Sequence, residues 1–573
     1  MAPTSIIPPR WTSVMSSTQV TQASCPTRRE WFSAFVIAVA VALLLFVPYA
    51  LGYTQAHSGT EYTGLMITVE DASYVSSIGK GYNGEWLYHL PFTSEEHAPA
   101  FIEVFYLSLG HIARVLNLPV IAMWHLARVV SDVLLFLVTF GFIATFIPAP
   151  IQRRAAYLLA IFGGGFDWAW LPWEHPDPIA SAVPLDLRMP EAHLFFSALT
   201  FPHFAAAISF ILITFSLALR ALDHATISWQ RWLFALGASV GNLLVMLVYP
   251  FLIVLMLGVL GAYYVLLITR AWRLLWREAF LLISACALPV PMVLYYQSVL
   301  ATNDIFRRWN VQATTLSPNP LHYLLAYAPY LVLGALTFRR LKARDHHRLT
   351  FLWIWIGAVA VLVYSPLNAQ RRFVEGVQVP LAIVATLGLF EVGLPWLARR
   401  RVFNALAQRP SYSGAGLQRL LVVGLIAVTS LANLYLWAGA AIKLSVTQPY
   451  PLFRPRAELQ AMDWLRDHAT PDELVLSSYW TGSYIPFRTG HRVFVGNRYE
   501  TIQFDGKRAT VQRFFSTEAN DAWRVALLKQ YRVAYIFVGR DERTLGDFDP
   551  ARAEYLKPAF TDGEVTIYRV MTR

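Results

Sequence analysis

The stretch WFSAFVIAVAVALLLFVPYAL, residues 31–51, decides the fold. It carries no charged side chain. As a helix rising ~1.5 Å per residue it crosses the ~30 Å hydrocarbon core of a bilayer. Arg28 and Arg29 stand just before it, the run is long, and no convincing small-x-small cleavage site follows it. It therefore reads as a retained span rather than a signal peptide. Similar apolar runs follow at 120–147, 155–171, 195–219, 232–248, 251–269, 279–299, 321–336, 349–364, 374–394 and 420–439. Together they predict about eleven transmembrane helices.

The composition agrees. Of 573 residues, 56% are hydrophobic and 14% charged, against roughly 25% charged in a typical soluble protein. A soluble fold cannot hide so much apolar surface, whereas lipid can solvate it. The net charge of +11 would suggest nucleic acid in a soluble chain. Here the arginines gather in short loops between apolar runs, which is the positive-inside pattern, and no nucleic-acid partner is expected.

Orientation follows from those clusters. Arg28 and Arg29, Arg153 and Arg154, Arg220 and Arg231, Arg270 to Arg277, Arg339 to Arg348 and Arg399 to Arg419 all fall on one side of an eleven-span chain. That side reads as the cytoplasm. The parity requires that 101–118, interrupted by Glu103, His111 and Arg114, lie in the outer interface without crossing. Opposite the arginines, the loop 52–99 holds Glu61, Glu70, Asp71, Glu85, Glu95 and Glu96 against Lys80 alone.

The predicted organisation has three parts. Residues 1–30 form a cytoplasmic tail. Residues 31–442 form a multi-span membrane domain, with the acidic outer loop 52–99 and interfacial helices at 101–118. Residues 443–573 form an extracytoplasmic α/β domain. In that last part helices are expected at 456–468 and 521–531, with strands at 474–477, 492–495, 533–538 and 565–568. The fold class is thus a polytopic α-helical membrane protein of the plasma membrane with a C-terminal soluble domain. Cys25 and Cys286 have neither disulfide nor metal-ligand logic. No nucleotide-binding motif appears, and neither cofactor nor metal is expected.

Several polar residues are candidates for chemistry. Adjacent Glu70 and Asp71 could supply a general base, since burial and mutual repulsion raise one carboxyl pKa; a solvated acidic loop is the plainer alternative. Gly163 to Gly165 lead into Asp167, which would face the same outer cavity; helix packing explains the glycines as well. Glu191 and His203 flank the start of a span and are costly if they face lipid, so they should face the bundle interior. Arg371 and Arg372 break the positive-inside trend in a short outer loop, where guanidinium forks suit a phosphate; an ion pair with Glu375 is the alternative. Arg307 and Arg308 are a weaker version. Arg128 and Asp132, one helical turn apart, should pair with each other.

In layout the chain resembles the GT-C superfamily of polyprenyl-phosphate-sugar-dependent glycosyltransferases. That superfamily includes the protein O-mannosyltransferases, the aminoarabinose transferase of lipid A and the oligosaccharyltransferase catalytic subunit. The resemblance rests on one span, a long outer loop with Glu70-Asp71 near its start, interfacial helices, Ala127-Arg128 entering the next span, the basic turn Arg153-Arg154, and a span ending in Asp167. It implies a hexosyltransferase-like enzyme working on a lipid-phosphate-linked sugar donor and an acceptor that the sequence does not identify. By resemblance Asp71 or Glu70 is the base, and Arg371 and Arg372 hold the carrier phosphate. The chain departs from those families in having adjacent acids rather than Asp-x-Asp, and in lacking a Trp-Trp-Asp-Tyr-Gly motif. A lipid or polysaccharide transporter, or a membrane scaffold with an outer binding domain, is the competing reading. No internal repeat supports transport.

Overall fold

A computed structural model describes residues 25–173, 183–338, 347–407, 409 and 413–571. The acids Glu174 and Asp177 and the basic residues Arg339, Arg340, Lys342 and Arg344 lie outside the described residues.

Among the described residues, six helices are long and apolar enough to cross a membrane: Arg28–Thr54, Val120–Ala144, Pro202–Leu222, Ser228–Val248, Leu252–Ala271 and Gln378–Ala398. Two bent pairs bring the number to eight: Trp276–Ala285 with Val290–Thr302 (54°) and Gly414–Thr429 with Leu431–Thr447 (45°). The three remaining apolar runs are also helical but shorter or interrupted, at Pro150–Phe162, at Pro320–Ala326 with Ala328–Ala335, and at His347–Leu362. Pro320 opens one of these pieces, and Pro329 sits at the start of the next, where a missing N–H is tolerated. The chain is a multi-pass helical membrane protein. The amphipathic run at 101–118 is one helix, Val104–Leu116, packed against Ala72–Tyr82 of the first outer loop.

Two arginines of the basic clusters tie helix ends together. Arg153 is fully buried and ion-paired to Glu30 at 2.8 Å, and its other nitrogens donate to the carbonyls of Ile147 and Pro148. Arg231 likewise meets Glu278 at 3.3 Å and the Ala221 carbonyl at 2.7 Å. Removing one member of a buried pair strands the other's charge. Arg153→Ala should therefore cost about 3–5 kcal/mol, read as a lower unfolding midpoint in detergent. An unchanged midpoint would show that water reaches Glu30.

Arg128 and Asp132 do not form the expected ion pair. Arg128 instead lies over the Tyr49 ring, 3.7 Å from its centroid, and donates to the Leu199 carbonyl at 3.1 Å. Asp132 Oδ1 finds no hydrogen bond among the described residues. The ring face and the carbonyl take the guanidinium in place of Asp132, although Arg128 Nε finds no hydrogen bond among the described residues.

The chain after the last span folds as a mixed sheet with helices. Strands β1 (Thr60–Tyr62) and β2 (Phe453–Pro455) form an antiparallel pair that joins the first outer loop to this part. Strands β3 (Leu474–Leu476), β4 (Val533–Val538), β5 (Leu556–Asp562) and β6 (Val565–Val570) form a sheet of order β3-β4-β6-β5. Pairing is parallel between β3 and β4 and antiparallel elsewhere. The helix Arg456–His468 buries Leu459, Met462 and Leu465 at helical spacing and packs on this sheet. Residues 492–495, expected as a strand, make two isolated bridges instead, Val493 with Val475 and Val495 with Thr93. β5 escaped the sequence reading because Pro558 interrupts its pattern; a proline is tolerated there because β5 is an edge strand.

The first outer loop and the C-terminal part interlock. Lys507 meets Glu95 at 2.6 Å, the Tyr88 hydroxyl donates to Glu500 at 2.8 Å, and the Val493 amide donates to the Pro91 carbonyl at 2.9 Å.

Candidate active site

A cavity of about 530 Å³ opens where the first outer loop, the segment 187–204, the 371–372 turn, the end of the last span and residues 497–499 meet. Its polar wall includes Glu70, Asp71, Arg188, Glu191, Arg371, Arg372, Lys443 and Asn497. Its apolar wall includes Phe196, Phe201, Phe204 and, from the last span, Leu436 and Ala440. One side thus continues along the apolar helix Leu431–Ile442, on which Leu434 and Tyr435 are exposed.

Asp71 closes the short turn Val69–Asp71. The Thr68 amide donates to its Oδ2 at 3.1 Å, making a capping box. The side chain is buried, which pushes its carboxyl up to about 7. The Thr68 amide and, more weakly, Lys443 act against that rise, while the Glu70 charge adds to it. Such a carboxyl can hold or release a proton near neutral pH.

Glu70, its neighbour, is tied to the C-terminal part. The Arg498 amide donates to Glu70 Oε1 at 2.8 Å, and the Asn497 side-chain amide donates to the Glu70 carbonyl at 3.0 Å. Its carboxylate is therefore a strut for the 497–499 loop.

Arg371 and Arg372 differ in how they are held. Arg371 Nε stands 3.3 Å from Glu191 Oε1, within ion-pair range but out of line for a hydrogen bond. Arg372 donates from Nη1 to the Tyr249 hydroxyl, with its guanidinium 5.4 Å from the Tyr249 ring centroid and 5.9 Å from that of Phe204. Glu375, the partner considered for these arginines in the sequence, is buried, and neither of its carboxyl oxygens finds a hydrogen bond among the described residues.

Asp167 and His203 stand off the cavity wall. Asp167 is buried, ion-paired to His322 at 2.8 Å, and accepts the Leu185 amide at 2.7 Å. The glycines before it serve close packing: a Cβ on Gly165 would stand 2.3 Å from the Ala326 carbonyl oxygen. His203 lies one layer behind the wall, bonded to Tyr249 at 2.6 Å and to Tyr106. Arg307 and Arg308 both turn to the exposed Asp304, away from the cavity.

The cavity also contains groups that the sequence reading passed over. Lys443 donates to the carbonyls of Met66 (2.9 Å) and Ile67 (3.0 Å), beside Asp71. Lys443 and Arg188 were legible by the same rule as Arg371, since each is a basic residue on the outer side of a span. Asn497 had no sequence signal, because only the fold brings it to Glu70.

No family model and no curated protein matches this chain in sequence. Solved structures match it in fold. ArnT from Cupriavidus metallidurans in the apo state aligns over 93% of this chain and 97% of its own, with a TM-score of 0.53 at 14% identity. The same protein bound to undecaprenyl phosphate gives 0.51 at 14% over the same shares. The Archaeoglobus fulgidus oligosaccharyltransferase tethered with an acceptor peptide gives 0.52 at 14%, over 90% of this chain and 69% of that one. The mycobacterial arabinofuranosyltransferase AftD gives 0.52 at 13%, over 96% of this chain but 40% of that one. At such identities the likeness is one of architecture, and by that architecture this chain has the GT-C membrane fold.

Proposed function

We propose that this protein is a glycosyltransferase that takes a sugar from a polyprenyl-phosphate carrier and passes it to a hydroxyl-bearing acceptor on the outer face of the plasma membrane. One observation carries the reading. A buried carboxyl of raised pKa and a pair of outward arginines, distant in sequence, face one cavity that continues along an apolar helix. The undecaprenyl phosphate bound by ArnT and the dolichol phosphate in complex with the archaeal oligosaccharyltransferase, both on this fold, support a donor of the same class.

The chemistry needs no further group. The acceptor oxygen attacks the anomeric carbon, the bond from that carbon to the phosphate oxygen breaks, and the phosphate leaves with the electron pair. Asp71 takes the acceptor proton. Arg371 and Arg372, with Lys443 nearby, stabilise the charge growing on the phosphate. Glu191 holds Arg371. The arginine clusters put the N-terminus in the cytoplasm and the part after about residue 443 outside.

Purified protein offered a panel of polyprenyl-phosphate sugars should consume at least one donor and release free polyprenyl phosphate. If none is consumed while lipids cross reconstituted vesicles, the transporter reading replaces this one. Glu70 and Asp71 are separable in the same assay. Glu70→Gln keeps an oxygen for the Arg498 amide, so turnover should stay within about threefold, far from the losses of general-base removal. A loss as deep as that of an Asp71 variant would move the base to Glu70.

A further inference from the structure

Behind Arg372 runs a chain of buried polar side chains that touches nothing in the cavity directly. Arg372 Nη1 meets the Tyr249 hydroxyl, that hydroxyl meets His203 Nε2 at 2.6 Å, and His203 Nδ1 meets the Tyr106 hydroxyl. His203 and Tyr106 are both buried. The Tyr74 ring, itself on the cavity wall, covers them at 4.9 Å and 5.1 Å between ring centroids. The chain joins the 370–374 turn, the outer end of Ser228–Val248, the start of Pro202–Leu222 and the helix Val104–Leu116.

Its polarity follows from the donor inventory. A guanidinium only donates, so the Tyr249 oxygen accepts from Arg372. The phenol proton then points away from the cation, toward His203 Nε2. A neutral imidazole with Nε2 accepting carries its proton on Nδ1 and gives it to the Tyr106 oxygen. In this arrangement no proton faces the cation, and each bond polarises the next in the same sense.

The two arginines are therefore anchored by opposite means. Arg371 rests against a carboxylate, Glu191, which cancels part of its charge. Arg372 is fixed by a neutral hydroxyl; Glu191 and Glu375 act on its charge from nearby, but neither is hydrogen-bonded to it. With Nη1 committed, its Nε and Nη2 make no hydrogen bond among the described residues, and these two form an edge of the guanidinium fork that suits a phosphate.

We propose that Tyr249 and His203 are positioning residues for Arg372, aiming its free edge at the donor phosphate. The proposal rests on the phosphate-binding reading of the cavity.

A double-mutant cycle on the full-length protein tests it, with undecaprenyl phosphate as the probe. Tyr249→Phe removes one oxygen and leaves the ring, so packing survives. It should weaken undecaprenyl phosphate binding about five- to twentyfold and lower kcat/KM for the donor by at least as much, in line with loss of a charge-assisted bond that orients the ligand group. His203→Phe should act in the same way. His203→Gln should recover most of the affinity, because the amide supplies both an acceptor and a donor. Arg372→Ala with Tyr249→Phe should bind no worse than Arg372→Ala alone, because the tyrosine acts only through the arginine. If Arg372→Ala weakens binding but Tyr249→Phe and His203→Phe do not, the positioning proposal falls and the phosphate reading stands. The same holds if the double variant shows the product of the two single effects. If Arg372→Ala leaves binding unchanged, both fall.

Discussion

Asp71→Asn should cut turnover by roughly 10² or more while donor binding and folding stay close to those of the parent. The asparagine amide keeps the size of the carboxyl and an oxygen for the Thr68 amide, so the turn at Val69–Asp71 survives. It cannot take a proton from an acceptor hydroxyl. The pH dependence carries the same signature. Burial holds the Asp71 carboxyl near 7, well above an ordinary aspartate. Below that value it is protonated and useless as a base; above it, it is ionised and ready. Parent turnover should therefore rise with pH through about 7, and the small residual activity of Asp71→Asn should lack that rise. A variant with parental turnover, or one retaining the same pH step, would remove Asp71 from the base role.

Arg372→Ala should weaken donor binding by about tenfold to a hundredfold, since charge-assisted bonds to a phosphate contribute roughly 1.5–3 kcal/mol each. Arg371→Ala should cost less. Its guanidinium already shares its charge with Glu191, and part of what the phosphate gains on binding is lost from that pair. Arg372→Lys should recover only part of the affinity, because an ammonium keeps the charge but not the two-pronged edge. Titration of undecaprenyl phosphate into each variant, followed by native mass spectrometry, reads the order directly. Equal losses at the two positions would show that Glu191 does not shield Arg371. No loss at either would leave the arginines as an ion-paired loop.

The spans were legible because bilayer thickness imposes one length and one composition on every crossing helix, as in Arg28–Thr54 and Val120–Ala144. The helix Arg456–His468 and the strand Val533–Val538 were legible in their bounds, because each has a clean amphipathic or β-branched pattern between polar breaks. Asp71, Arg371 and Arg372 stood out because charge on the outer rim of a membrane protein needs a reason.

What the sequence hid is what the fold alone creates. Glu70 and Asp71 look equivalent as neighbours, yet one is committed to the Arg498 amide and the other is buried, with its carboxyl pushed up to about 7. Arg128 and Asp132 share a helix face, yet Tyr49 and the Leu199 carbonyl take the arginine first. Asp167 looked like a cavity acid, but His322, far along the chain, holds it. Tyr249 carries no local signal, and His203 stood out only as a costly polar residue at the start of a span; the role of both depends on Arg372 arriving beside them. Long-range pairings of this kind, β1 with β2 among them, leave no periodic trace in sequence.

The central claim is that the cavity between Asp71 and the paired arginines is where the carrier phosphate sits. A structure determined with undecaprenyl phosphate bound tests it most directly. The phosphate should lie within hydrogen-bond distance of Arg372 and close to Arg371 and Lys443, with Asp71 facing the position of the anomeric carbon and the prenyl chain running along Leu436 and Ala440. A phosphate seated elsewhere, such as beside Arg128 within the bundle, with the outer cavity empty, would contradict the account.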